Sequence, residues 1–325
     1  MPDAMSQQNV RLDPAPAFAG FLETHRGLVL CVIATVIVAA PLAFIRFAPL
    51  HDYPFHLARM AILRDLASGG ELSRYYEFGS FLIPNVGMDV IVLALSQVLP
   101  VETAAAAFVG LTLFVSISGA AYLQRSLFRS NDFTPFIAAL LTYNSIFTLG
   151  FLNYLFGIGL MLWCVAFFIR LRGRSPLVRF GWGCLAGLAL LFAHLAAFGL
   201  YTVIVAGLEL QANWMLLRRA PLTAAVRLVL SALPLLLIVG LFYALSPTAG
   251  QTSSLISFEA SSVFEFLRNK FWLLRQTLAG HENVRLDLAD TALAVVMVVL
   301  ACIFAKPHLA KLNLASAAPT PEIKQ

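Results

Sequence analysis

The chain has 325 residues, 60% of them apolar and only 12% charged, and its mean hydropathy is +0.83. A soluble globular domain would carry about a quarter charged residues, so this composition excludes that class. The net charge of +5 does not indicate a nucleic-acid partner, because the basic residues lie in short loops between apolar runs. The sequence predicts an all-α fold, a polytopic transmembrane helical bundle.

Apolar runs along the chain predict about eight membrane-spanning helices. About 20 residues cross the hydrocarbon layer, so the runs over 133–170 and 180–217 must each contain a turn. We place these turns near Gly150 to Tyr154 and at His194, because a lone histidine is costly in mid-membrane. The predicted spans are 27–47, 104–123, two within 133–170, two within 180–217, 225–245 and 289–305.

The segments outside the spans complete the predicted domain organisation. Residues 1–26 and 306–325 are predicted to be disordered cytoplasmic tails of a transmembrane domain over 27–305, with outer loops at 48–103 and 246–287. We interpret the first span as an uncleaved anchor. The alternative, a cleaved signal peptide, suits the long polar lead less well.

The distribution of basic residues predicts the orientation. Loops of one parity, together with both tails, hold most of the 22 lysines and arginines, and basic loops remain in the cytoplasm. This places both termini in the cytoplasm of a multi-pass protein of the inner (plasma) membrane. The count requires that residues 83–99 do not cross. The polar stripe of Asn85, Asp89 and Ser96 favours a juxtamembrane or re-entrant helix there.

Two glycine patterns indicate where helices pack closely. One is Gly183-x-x-x-Gly187, and the other is the pair Gly157 and Gly159. Small residues allow membrane helices to approach each other, so we expect neighbouring helices to contact these positions.

The first outer loop holds the densest group of ionisable side chains, and a helix beginning near Pro54 is predicted to lie on the membrane surface. His51, Asp52, His56 and Arg59 fall within one short stretch of this loop. Asp52 can act as a general base just outside the bilayer or cap the N-terminus of the helix, and both roles can hold. Arg59 either pairs with a lipid phosphate or extends into the headgroup layer.

Other polar residues predicted at the outer face are candidates for the same cavity. Asp89 is either a second catalytic carboxylate or a polar residue on a helix surface. His194 either contacts phosphate or anchors its turn. Asn153 and Tyr154 are candidate substrate-binding residues, although tyrosine is common at membrane interfaces for other reasons.

Histidine and carboxylate side chains together also suit a divalent metal. The backbone turn between His51 and His56 leaves a metal site there without support, so we predict no metal and no cofactor. Both histidines are instead candidate substrate-binding residues.

Two motifs resemble the GT-C superfamily of membrane glycosyltransferases, which use polyprenyl-phosphate sugars. The first is His51-Asp52-Tyr53-Pro54, directly after the first helix, where that family carries its catalytic acid. The second, Gly187 to His194, is similar to the family's Gly-Leu-Ala-rich helix that ends in a basic residue at an outer turn. The order of elements over roughly 28–215 resembles the protein O-mannosyltransferase and aminoarabinose-transferase branch, although the adjacent acidic pair is missing.

The resemblance implies an enzyme that moves a sugar from a polyprenyl-phosphate carrier to an acceptor at the extracytoplasmic face. Because the sequence has only about eight predicted spans, fewer than is common in that family, three interpretations stay open: a short member, a truncated fragment and a non-catalytic relative. It implies Asp52 as the base, Asp89 as a supporting carboxylate, and Arg59 and His194 as contacts for the lipid phosphate. The expected partners are the lipid-linked sugar, membrane lipids and an unknown acceptor, with no nucleic acid. Two alternatives stay open: a transporter or flippase without chemistry, and a structural membrane subunit. Transporters more often show internal repeats or midplane charges, which we do not find.

Overall fold

A computed structural model describes residues 17–45, 47–128, 133–247 and Glu265, with the backbone alone over 17–25. In this part of the chain the protein is all-helical and has no strand. Its helices are α1 (Ala17–Ala43), α2 (Tyr53–Ala67), α3 (Gly87–Leu95), α4 (Val101–Phe128), α5 (Thr134–Leu140), α6 (Ser145–Leu149), α7 (Leu152–Arg170), α8 (Pro176–Ala193), α9 (Leu195–Arg219) and α10 (Pro221–Leu245). Single turns of 3-10 helix follow α2 and α7.

Six of these helices, α1, α4 and α7 to α10, are long and apolar enough to cross a membrane. The all-α class is therefore confirmed over the described residues, with six candidate membrane spans. Of the eight predicted spans, 289–305 lies outside the described residues, as do most of the loop 246–287 and the C-terminal tail. The span predicted in the first half of 133–170 is two short helices, α5 and α6, rather than one long helix.

Helices α4 and α7 form the centre of the bundle and run parallel. Phe108 near the start of α4 packs against Phe156 near the start of α7, and Tyr122 near the end of α4 stacks on Trp163. A Cβ on Gly159 would lie 2.7 Å from the backbone nitrogen of Ser116 on α4, so only glycine fits this approach. The predicted packing role of this glycine is confirmed.

Because α4 and α7 point the same way, the residues between them must return along the length of the bundle. Helices α5 and α6 make this return, with irregular residues 141–144 between them. The Tyr143 hydroxyl donates to the Val38 carbonyl of α1 (2.7 Å), and the Asn144 side chain accepts from the Phe147 backbone N–H (3.0 Å). The span predicted in the first half of 133–170 is therefore interrupted, because Asn144 caps a new helix.

Both turns predicted within the long apolar runs are confirmed. Helix α6 ends at Leu149, followed by Gly150 in the left-handed conformation (φ 86°), and α7 begins at Leu152. Helix α8 ends at Ala193 and α9 begins at Leu195, so His194 alone separates them.

The glycines of α8 face α10, so the predicted helix contact at these positions is confirmed. A Cβ on Gly183 would lie 2.7 Å from Cγ of Pro234, and one on Gly187 would lie 3.1 Å from Cδ2 of Leu235. On α7, a Cβ on Gly157 would lie 3.0 Å from Cβ of Ala197 at the start of α9. Each glycine therefore marks a close helix crossing.

The outward faces of the long helices are apolar. Helix α10, for example, exposes Val226, Val229, Leu236 and Leu237. Soluble monomers rarely expose contiguous apolar surface of this kind, whereas lipid tails cover it without cost.

The first helix begins at Ala17, so residues 17–26 are helical although the sequence predicted a disordered tail there.

Helix α3 spans nine residues, which is roughly 13 Å at 1.5 Å per residue and too short to cross a bilayer. Residues 83–99 therefore form no spanning helix, as expected. Two of the three residues of the polar stripe on this segment point inward, whereas Asn85 is exposed. Asp89 and Ser96 are buried, while Val90 and Val98 are exposed. Buried polar groups must find protein partners, and Asp89 has one.

Candidate functional site

Four parts of the chain meet at one end of the bundle, which we call the site end. They are α2, α3, the turn between α6 and α7, and the turn between α8 and α9. The opposite end, which we call the arginine-rich end, carries Arg125, Arg170, Arg172, Arg174, Arg179, Arg218, Arg219 and Arg227. The sequence-predicted site residues all lie at the site end.

The start of α2 is fixed to the turn that follows α6. The backbone N–H groups of His51 and Asp52 donate to the carbonyl oxygens of Thr148 (2.9 Å) and Leu149 (3.0 Å). Gly150 then lies against Asp52: a Cβ at this glycine would be 2.9 Å from the Asp52 nitrogen. These contacts hold the Asp52 backbone in one position.

The carboxylate of Asp52 has no bonding partner among the described residues. It does not cap α2, contrary to one of the roles we predicted, because the residue has helical dihedral angles (φ −88°, ψ −4°) and not the extended ones that a capping side chain needs. Within the described part of the chain, its carboxylate accepts no hydrogen bond and forms no ion pair. It is half-buried, as a group at the wall of a cavity would be.

Arg59 and Asp89 form an ion pair between α2 and α3. Arg59 Nη2 lies 2.5 Å from Asp89 Oδ2. The Asp89 side chain is only 4% exposed, whereas that of Arg59 is 53% exposed. Burial raises the pKa of the Asp89 carboxyl, and the positive charge and hydrogen bond of Arg59 oppose that rise. The pair therefore leaves most guanidinium donors of Arg59 facing outward.

His56 connects this ion pair to the turn at Gly150. Its Nε2 lies 3.2 Å from the Gly150 carbonyl oxygen, which can only accept, so Nε2 carries the hydrogen in this contact. Its charged form would also favour ionised Asp89. His51, by contrast, has an exposed side chain and is held only through its backbone.

Asn153 joins α7 to the segment before α3. Its side-chain amide donates to the Asn85 carbonyl (2.8 Å), and its Oδ1 accepts from the Met88 backbone N–H (2.7 Å). Asn85 has a positive φ of 65°, and its own Oδ1 accepts from the Leu195 backbone N–H (2.9 Å). Asn153, predicted to bind substrate, thus makes structural hydrogen bonds. Asn85 is an organising residue that the sequence offered only as part of a stripe.

His194 caps the helix that it begins. Its Nδ1 accepts from the Ala196 backbone N–H (3.2 Å), so the neutral ring carries its hydrogen on Nε2. Tyr154 meets the imidazole edge to face, with ring centroids 5.2 Å apart, and Gly157 packs beneath its Cβ. Burial lowers the pKa of His194, which favours the neutral ring.

The predicted residues thus fall into two neighbouring groups. Asp52, His56, Arg59 and Asp89 gather around the Gly150 turn, and Asn153, Tyr154 and His194 gather around the turn between α8 and α9. Asn153 links the groups, because it bonds the residue preceding Asp89. Among the described residues, no three histidine, cysteine or carboxylate side chains lie close enough to share a metal ion.

Over the described residues, the fold and this site define a class, an all-helical protein with six potential membrane-spanning helices and a polar cluster at one end. Compared with known proteins, the chain matches no family model, no curated protein and no solved structure. The likeness to GT-C glycosyltransferases consequently rests on the residues quoted above, and the function is argued from the chemistry of the site.

Proposed function

We propose that the protein is a membrane glycosyltransferase that moves a sugar from a polyprenyl-phosphate carrier to an acceptor at the site end. The observation that carries this proposal is the state of Asp52. Its backbone is fixed by two hydrogen bonds and by Gly150, while its half-buried carboxylate has no partner in the described part of the chain. A carboxylate that only stabilised the fold would be expected to have a partner.

The transfer would proceed as a displacement at the anomeric carbon. The acceptor hydroxyl gives its proton to the Asp52 carboxylate while its oxygen forms a bond to that carbon. The bond from the anomeric carbon to the phosphate oxygen breaks, and its electron pair leaves with polyprenyl phosphate. The phosphodiester monoanion becomes a phosphate dianion, and Asp52 later returns the proton to water.

Arg59 and His194 are suited to the charge that develops on the leaving phosphate. Arg59 keeps free guanidinium donors beside its bond to Asp89, and guanidinium groups bind phosphate strongly. His194 presents an Nε2 hydrogen that has no partner among the described residues. Asp89 would support catalysis by holding Arg59 in place rather than by moving a proton. His51, His56 and Tyr154 border the same region.

We further propose that the site end faces the extracytoplasmic side of the inner membrane. The supporting observation is the charge of the opposite end, since basic loops remain in the cytoplasm. In this arrangement α5 and α6 together make a seventh, discontinuous crossing. Residues 289–305 would then provide an eighth.

The substitution Asp52→Asn tests the proposal directly. Proteoliposomes of the full chain receive polyprenyl-phosphate hexoses and a membrane extract as the source of acceptor, and release of polyprenyl phosphate is followed by chromatography. Loss of a general base should slow release about 100-fold or more. Glu77→Gln is the matched control, because Glu77 is an exposed carboxylate of the same loop. An Asp52→Asn protein with the wild-type rate would refute the assigned role.

One observation favours a second candidate, a flippase without chemistry. The return through α5 and α6 is discontinuous, and transporters often build their sites from interrupted helices. The same proteoliposomes separate the two functions. A flippase would move a fluorescent polyprenyl-phosphate sugar between leaflets without consuming it. In that case neither the wild type nor Asp52→Asn would release polyprenyl phosphate.

A further inference from the structure

A second polar site lies at the arginine-rich end, far from the groups described above. A cavity of about 790 Å³ opens between the end of α7 and the helices α8, α9 and α10. The lining residues that carry the argument are Arg172, Arg179, Tyr201, Glu209, Arg227 and Ser231. None of them takes part in the proposed transfer reaction.

A buried ion pair forms one wall of this cavity. Glu209 is 6% exposed, and its Oε1 lies 2.7 Å from Nη2 of Arg179. The Ser231 hydroxyl donates to Glu209 Oε2 (3.0 Å), so both carboxylate oxygens are engaged. The Nε of Arg179 is buried and has no hydrogen-bond partner. The pair is therefore incomplete on the arginine side.

Two more arginines add positive charge that this carboxylate does not balance. Arg172 uses one donor for the Leu208 carbonyl (2.9 Å) and is otherwise exposed. Arg227 is exposed and makes no hydrogen bond within the described part of the chain. Three arginines thus share the cavity with a single glutamate, which favours an anionic ligand.

Tyr201 lies at the inner wall of the cavity and is only 1% exposed. Its hydroxyl is buried beside Trp182 and makes no hydrogen bond of good geometry.

Apart from Asn213, the other residues that line the cavity are mostly apolar. Leu177, Leu230 and Leu233 line the cavity and are exposed on the outward surface. A second, largely apolar groove of about 430 Å³ runs between α9 and α10 and shares Val205, Glu209, Ser231 and Leu235 with the cavity. An ion such as free phosphate would not need this apolar surface, whereas the chains of a lipid would.

We propose that this cavity binds the phosphate-bearing headgroup of an anionic phospholipid, with its acyl chains along α9 and α10. Guanidinium groups pair with phosphate through parallel hydrogen bonds, and basic pockets between membrane helices are suited to such headgroups. Arg179, Arg227 and Arg172 are the phosphate contacts. The site is independent of the transfer reaction proposed for the other end.

The test is a titration of the purified full chain in detergent with phosphatidylglycerol, read by native mass spectrometry. Phosphatidylcholine, whose headgroup is zwitterionic, should bind about tenfold more weakly. Arg227→Gln should weaken phosphatidylglycerol binding about tenfold, which corresponds to one charge-assisted contact. Arg219→Gln is the matched control, because Arg219 is exposed at the same end but does not line the cavity.

Each other outcome contradicts the proposal. Equal binding of the two lipids, or equal losses in the two variants, would mean general attraction to a basic surface. Displacement of phosphatidylglycerol by about 10 mM inorganic phosphate would mean a soluble anion as the ligand. Arg172→Gln should also weaken phosphatidylglycerol binding. This second variant tests the proposal even if Arg227→Gln folds poorly.

Discussion

Gly150 lies so close to Asp52 that a Cβ on the glycine would be 2.9 Å from the Asp52 nitrogen and 3.2 Å from its Cβ. The same glycine has a φ of 86°, which side-chain-bearing residues rarely adopt. Its carbonyl oxygen also contacts His56. A single glycine thus joins the start of α7 to the residue that we assign as the base.

Gly150→Ala is expected to destabilise the protein and to displace Asp52. The left-handed backbone alone costs about 1–3 kcal/mol for a residue other than glycine, and the contact with Asp52 adds to this cost. The unfolding temperature in detergent and the rate at which the lipid-linked sugar is consumed would both fall. Gly240→Ala on α10 is the control, because a Cβ there meets nothing within 4 Å. Similar unfolding temperatures for the two variants would contradict the close approach.

Substituting Arg59 and substituting Asp89 should lower the free energy of unfolding by different amounts. Arg59→Gln leaves a buried carboxylate without its partner, at about 2 kcal/mol after allowance for the exposure of Arg59. Asp89→Asn leaves an arginine that can reach water, at about 1 kcal/mol. The double variant should be more stable than Arg59→Gln alone. Thermal unfolding at pH 7.5 would check the order, and the reverse order would mean that Asp89 is not buried as described.

The Arg59→Gln protein should also gain stability relative to the wild type as the pH falls. Burial raises the folded-state pKa of Asp89, and losing Arg59 removes the stronger of the two groups that oppose this rise. A raised folded-state pKa gives stability that is present below the unfolded value of about 3.9 and lost as the pH rises through the folded value. The difference in unfolding temperature between the wild type and Arg59→Gln should be smaller at pH 5 than at pH 7.5. Asp89→Asn, which cannot titrate, is the control.

Features set by local chemistry were predictable from the sequence. His194 and Gly150 interrupt apolar runs that are too long for one helix, and Gly183 and Gly187 recur on one helix face. The pairing of Arg59 with Asp89 was not predictable, because the residues come from different helices and only tertiary packing brings them together. The same packing turns the polar face of α3 inward, against the simple expectation for a surface helix.

One missed feature did have a local signal. Asn144 followed by Ser145 lies inside an apolar run, and asparagine is a favoured N-cap residue. Its side chain caps the N-terminus of α6, and this cap divides the predicted span into two short helices. The positive φ of Asn85 has a weaker signal, since asparagine tolerates that conformation but does not require it.

Asn153→Ala should loosen the segment before α3. The substitution removes the acceptor for the Met88 N–H and the donor to the Asn85 carbonyl. Met88 is fully buried, so its unpaired N–H would cost about 1–3 kcal/mol. Faster proteolysis and hydrogen exchange at residues 80–90 would report the change. Gln97→Ala, which removes an exposed amide nearby, should leave both rates unchanged.

His194 should make the stability of the protein depend on pH near neutrality. Burial lowers its folded-state pKa, so its contribution is present above the unfolded value of about 6.5 and is lost as the pH falls through the folded value. Protonation also removes the Nδ1 acceptor that caps α9.

His194→Asn separates this structural role from phosphate binding. Asparagine caps helices well and does not titrate, so the variant should unfold at about the wild-type temperature at pH 7.5 and lose the downward slope toward pH 5. His194→Ala should cost about 1 kcal/mol at both pH values, because it has no cap. If His194 contacts the donor phosphate, His194→Asn should consume the lipid-linked sugar more slowly although it is folded. A wild-type rate in that variant would confine His194 to capping α9.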